Sequence, residues 1–130
     1  MKKLLAFLTL IAALLAVAGP LFAHHGRGAT YDMKKEVALK GTISEVYWRN
    51  PHIQVSVNVK DDSGKVTTWV IEHSNITTLA MQGYGKTTLK VGDNVTAYVH
   101  PGAAGQPVGL CVKFVMADGR EVFQRNAGVD

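Results

Sequence analysis

The sequence predicts a small all-β domain carrying one short helix, and three observations predict it. Ile53, Val55, Val57 and Val59 alternate with His52, Gln54, Ser56 and Asn58 in a strict period of two, the pattern of a strand buried on one face. Short runs rich in β-branched residues recur from Val37 to Phe123, separated by Gly, Asp, Asn and Pro. One helical signal interrupts them, between the third and fourth runs.

The chain has 130 residues, one domain's worth, and its beginning reads as an export signal. Lys2 and Lys3 form a positive start, and Leu4 to Ala18 is apolar except for Thr9 before Gly19-Pro20 stops it. A spanning helix needs about 20 apolar residues, so residues 1–23 are expected to be removed, with the cut after Ala23 and Ala18 as the alternative. The product is then periplasmic or secreted and has no membrane span. Losing Lys2 and Lys3 lowers the precursor's formal charge of +4, which disfavours nucleic acid as a partner because counterion release needs a clustered basic groove. The single Cys111 excludes a disulfide framework within one chain.

Residues 24–36 form a polar segment, and residues 37–124 the folded domain. Val37 to Trp48 is the first strand. Val37, Leu39 and Ile43 are odd-numbered while Val46 and Trp48 are even, so the buried face changes near Ser44-Glu45, as a β-bulge requires. The period-two run from Ile53 is the second strand. Asp61 to Lys65 fits a three-residue hairpin loop with Gly64 in the left-handed position, setting Val57 opposite Trp69, Val55 opposite Ile71 and Ile53 opposite His73. A slip of one residue would expose the whole apolar set. Ser74 or Asn75 caps a short helix through Met81, with Gly83 as its stop. Asn94 to His100 is the fourth strand and Val108 to Met116 the fifth, with Leu110, Val112, Phe114 and Met116 on its apolar face and Cys111 on the other. Asp118-Gly119 turns into a short sixth strand, Glu121 to Phe123, and residues 125–130 read as frayed.

Three strands, a helix and two strands in this order predict an oligonucleotide/oligosaccharide-binding (OB)-like barrel, five- to six-stranded and partly open. A small β-sandwich is the alternative.

The histidines carry the chemically suggestive pattern. Cleavage after Ala23 would give His24 a free amine that can chelate a metal together with its ring, and His25, His52 or His100 could complete a nitrogen-rich site for copper or another transition metal. His73 shares the face of Trp69 and Ile71 and reads as a hydrogen-bonded interior or rim residue. Trp48, Arg49, Asn50, Pro51 and His52 gather at one turn and His100 precedes Pro101 at another, so these strand-end loops form a candidate surface for a small ligand or a periplasmic protein partner. Trp48 and Trp69 read first as filling the core, with an aromatic surface for stacking as the alternative. No Ser-His-Asp order, paired carboxylates or phosphate loop is found, so a non-enzymatic binding module is expected, with metal handling through His24 as the alternative.

Ala23-His24-His25, the segment Val37 to Ile43 leading to Trp48-Arg49-Asn50-Pro51-His52, Leu89-Lys90-Val91-Gly92-Asp93, His100-Pro101 and Ala117-Asp118-Gly119-Arg120 together resemble a family of small exported bacterial proteins classed as a domain of unknown function. The resemblance covers nearly the whole mature chain. It implies a periplasmic OB-like domain with no established reaction, and His24, His25, Trp48, Asn50, Pro51, His52 and His100 match its pattern. The start His-His-Gly-Arg-Gly departs from the His-His-Ser-Phe type associated with that family.

Overall fold

The computed structural model describes residue 1 and residues 27–125. The signal segment, His24, His25 and residues 126–130 lie outside the described residues. The elements are a helical turn α1 (Arg27–Thr30), β1 (Val37–Tyr47), β2 (Gln54–Lys60), β3 (Val66–Glu72), α2 (Ile76–Met81), β4 (Asn94–Pro101), β5 (Val108–Met116) and β6 (Glu121–Val122).

The strands run β3-β2-β1-β4-β5-β6, and β3 also pairs with β5. That last pairing, parallel over Val70↔Val108, Ile71↔Gly109 and Glu72↔Leu110, closes the first five strands into a barrel. β6 extends β5 at its far end through Phe114↔Val122 and Val115↔Glu121. The OB-like order is therefore present, and the barrel is closed rather than partly open.

The hairpin register follows burial, as the alternation requires. Val57 pairs with Trp69 and Val55 with Ile71, while the His73 N–H donates to the Ile53 carbonyl at 3.0 Å. The loop closes with the Asp61 N–H on the Lys65 carbonyl at 2.9 Å, and Gly64 has a φ of +89° that a Cβ would oppose. Asp61 Oδ1 accepts from the Ser63 hydroxyl and from the Lys65 and Ser63 N–H groups, and those hydrogen bonds, the hydroxyl's first, hold its carboxyl below the usual carboxylate range.

β1 changes face where the odd-even switch places it. Ile43 pairs with Val57 and Glu45 with Ser56, so Ser44 is the extra residue. The bulge curls β1 far enough to pair with both β2 and β4.

A second bulge corrects the reading of β5. Val99 pairs with Cys111 and Tyr98 with Lys113, leaving Val112 extra. The phase therefore shifts inside β5, so Cys111 and Phe114 both face the core and are fully buried. Burial pushes the Cys111 thiol far above its ordinary value. Leu110 is just as buried but stands outside the core cluster, on the outer face of the barrel.

The two ends of the barrel differ. At the end where β1 turns into β2, α2 is capped by Asn75, whose Oδ1 accepts the Thr78 N–H at 2.8 Å, and Leu79 enters the core. Phe123 completes that plug, with its ring 5.0 Å from Tyr84, 5.8 Å from His73, 6.1 Å from Phe114 and 6.2 Å from Trp48. Its φ of 53° is the only left-handed value at a non-glycine among the described residues. Among the described residues no helix crosses the opposite end.

Closure needs glycine where the walls crowd. A Cβ on Gly109, at the centre of the β3–β5 pairing, would stand 2.8 Å from the Val99 side chain, which is itself fully buried. Gly109→Ala is expected to lower the unfolding free energy by roughly 1–3 kcal/mol in urea denaturation; an unchanged midpoint would mean that this wall has slack.

Candidate functional site

The polar segment before β1 becomes an arm laid on the outside of the barrel. The Asp32 N–H donates to the Pro101 carbonyl at 2.8 Å and the Ala103 N–H to the Thr30 carbonyl at 2.9 Å. Tyr31 forms a β-bridge with Gly102 and is buried. Glu72, Leu110 and His100 are neighbours across β3, β5 and β4, and the arm touches both flanks of that row. The Tyr31 hydroxyl donates to Glu72 Oε2 at 3.3 Å, and His100 Nδ1 donates to the Lys35 carbonyl at 2.8 Å. Leu110, between them, is fully buried although it stands outside the core cluster.

The loop histidines fall into two kinds. His52 is half exposed and its Nδ1 lies 3.2 Å from Glu72 Oε1, whose side chain is 23% exposed. Such a pair contributes roughly 0–1 kcal/mol to stability, so its main effect is to orient the ring. His52 and His100 thus both have Nδ1 tied to an oxygen acceptor. His73 is of the other kind. Its Nδ1 accepts the Ser74 N–H at 2.6 Å, which requires the proton on Nε2, and Nε2 donates to the Phe123 carbonyl at 2.9 Å. It is an interior structural residue at the plugged end.

The Trp48-to-His52 turn is largely occupied with holding the fold. Trp48 is half-buried against Phe123, and Asn50 Oδ1 accepts the Ile76 N–H at 3.0 Å, adding a second cap to α2. The Asn50–Pro51 peptide is cis. Arg49 lies over the exposed Tyr47 ring at 5.1 Å, leaving Arg49, Pro51 and His52 as the outward members of that group. His52, through Glu72, and His100 stand at opposite ends of the arm-covered row. Among the described residues no three metal-ligating side chains converge.

The concave feature that alternation could not reveal is the open end of the barrel. A cavity of about 440 Å³ is floored by Val37, Leu39 and Trp69 and rimmed by Asp32 and Lys35 from the arm and by Pro101 to Gln106 from the β4–β5 loop. Its volume falls in the range of small-molecule sites, which recur in barrel mouths. The rim is pre-formed, because the arm-to-loop hydrogen bonds join its two sides and the Gly102 N–H donates to the Val108 carbonyl at 2.9 Å. A further depression of about 470 Å³, near Lys90, Asp93 and Arg120, lies by the plugged end. Within it Arg120 pairs with Asp118 at 2.8 Å, Asp93 Oδ2 accepts the Lys90 N–H at 2.9 Å, and Tyr84 presents its ring to Phe123.

Residues 12–112 match the family described as a family of unknown function (DUF6152). No curated protein and no solved structure matches the chain.

Proposed function

The chain belongs to this DUF6152 family of unknown function, and from that premise we propose that it is an exported, non-enzymatic binding module whose small ligand seats in the open mouth of the barrel. The observation that carries the reading is the cavity of about 440 Å³ with an indole and two aliphatic side chains at its floor and a few polar groups on a hydrogen-bonded rim. That is the composition expected of a small-molecule site: apolar surface supplies affinity and sparse polar groups fix orientation. The plugged end supports the same choice, since its aromatic side chains already contact one another.

The two tryptophans give a direct test. In the mature chain labelled with 5-fluorotryptophan, the Trp69 ¹⁹F signal is expected to shift saturably with bound small molecules while Trp48 stays still. Ala103→Trp, which places bulk on the exposed rim, should weaken such binding at least tenfold. A diverse library that leaves the Trp69 signal unmoved would sink the reading.

A second reading has its own observation. The tied Nδ1 atoms of His52 and His100 are the arrangement by which an outer oxygen orients a metal-ligating imidazole. Copper or another transition metal would then be held by His24 and His25 with His52 or His100. Copper(II) titration followed by electron paramagnetic resonance is expected to show nitrogen ligation in the mature chain that is lost when one residue is added before His24. Tight binding that survives the extension would refute the role of the terminal amine, and no binding in either form would leave the mouth as the site.

A further inference from the structure

The floor of the mouth presents an aromatic surface that the core does not consume. Of the large inward-facing side chains, Ile43, Ile71, Val99 and Phe114 are all 1% exposed or less, whereas Trp69, on the same inner face, remains half-buried and lines the cavity. An indole at an uncovered barrel end offers a flat apolar platform with one N–H donor.

The rim adds polar groups of mixed kind. Lys35 supplies an ammonium that has no acidic partner among the described residues. Asp32 uses Oδ1 to accept the Lys34 N–H at 3.1 Å, which leaves Oδ2 as an acceptor. Gln106 uses Oε1 to accept the Ala104 N–H at 3.1 Å, which leaves its NH₂ as a donor. One cation, one anion and one amide sum to no net charge.

This set discriminates among guests. An anion would meet Asp32, and a cation would meet Lys35. A wholly apolar guest would strip water from three polar groups and return no hydrogen bond to any of them, which is costly. A guest with an apolar face and a periphery of groups that both donate and accept satisfies the indole, the carboxylate, the ammonium and the amide together. A sugar ring has this character: its C–H face lies flat on an aromatic ring and its hydroxyls work in both directions.

We infer that the mouth is a carbohydrate site, taking one neutral pyranose ring or the terminal unit of a short oligosaccharide, with Trp69 as the platform and Asp32, Lys35 and Gln106 as the hydroxyl partners. This rests on the reading of the mouth as the binding site. The hydrogen bonds tying Thr30 and Asp32 to Pro101 and Ala103 hold the polar partners in place before the sugar arrives, so little ordering is left to oppose binding.

The test uses the full mature chain, labelled with 5-fluorotryptophan, and four probes: methyl β-D-glucopyranoside, N,N′-diacetylchitobiose, benzoate and tyramine. At least one sugar is expected to shift the Trp69 signal saturably and to give a matching calorimetric isotherm, with neither benzoate nor tyramine competing. Asp32→Asn and Gln106→Ala lie on the exposed rim and should leave the fold intact by circular dichroism while weakening the sugar at least fivefold each. Sugar binding that both variants leave unchanged would overturn the inference. Binding of benzoate or tyramine at Trp69 with no sugar response would overturn the carbohydrate assignment and leave the mouth as a site. Silence from all four probes would overturn the carbohydrate assignment, and the wider library decides the mouth itself.

Discussion

Three residue pairs between β3 and β5 decide what kind of molecule this is. Without them the strands would be an open sheet with two edges, each a row of unsatisfied backbone groups. With them the sheet has an inside and an outside, and both faces of interest exist only because of that. The mouth needs β1, β3 and the β4–β5 loop around one opening, and the arm needs Glu72, Leu110 and His100 side by side. Closure also explains the local irregularities: bulges at Ser44 and Val112 supply the bend, and Gly41 and Gly109 stand where a Cβ would strike a neighbouring wall.

The two ends of the barrel divide the work. A phenylalanine in the left-handed region costs on the order of 1–3 kcal/mol and persists only where the surroundings over-determine it. Around Phe123 they do. Its ring has four aromatic neighbours, and its carbonyl accepts from His73 Nε2. The same backbone conformation that aims the ring into the barrel thus aims the carbonyl at an interior imidazole. One end is thereby filled with side chains, and the other is left to the arm, the β4–β5 loop and whatever they receive.

How much of this could be read in the sequence depended on the range of the interaction. The β2–β3 register was legible because alternation and a short loop fix it locally, and the Ser44 bulge because an odd-even switch is a local signal. The Val112 bulge was not, since Leu110, Cys111 and Val112 are all apolar and either phase buries something. That is why Cys111 reads as an outer residue and is an inner one. The arm escaped notice for a different reason: Tyr31 meets Glu72 and Gly102, partners 41 and 71 positions away, and a polar segment with one tyrosine carries no period. Asn50 looked like part of a recognition loop, yet its carboxamide oxygen caps a helix 26 residues on. The mouth was invisible as such, because its lining comes from three separated stretches of chain; only the strand-end loop after His100 pointed toward it.

Amide hydrogen exchange at Val70 tests the closed barrel most directly. Its N–H donates to the Pro107 carbonyl at 3.0 Å across the seam. In a barrel that opens only by unfolding, Val70 exchanges with the same opening free energy as the amides at the centre of the β2–β3 ladder. Fast exchange at Val70 beside slow exchange at Val55 and Val57 would show a seam that opens by itself, and neither the mouth nor the arm-covered face would then have a fixed wall.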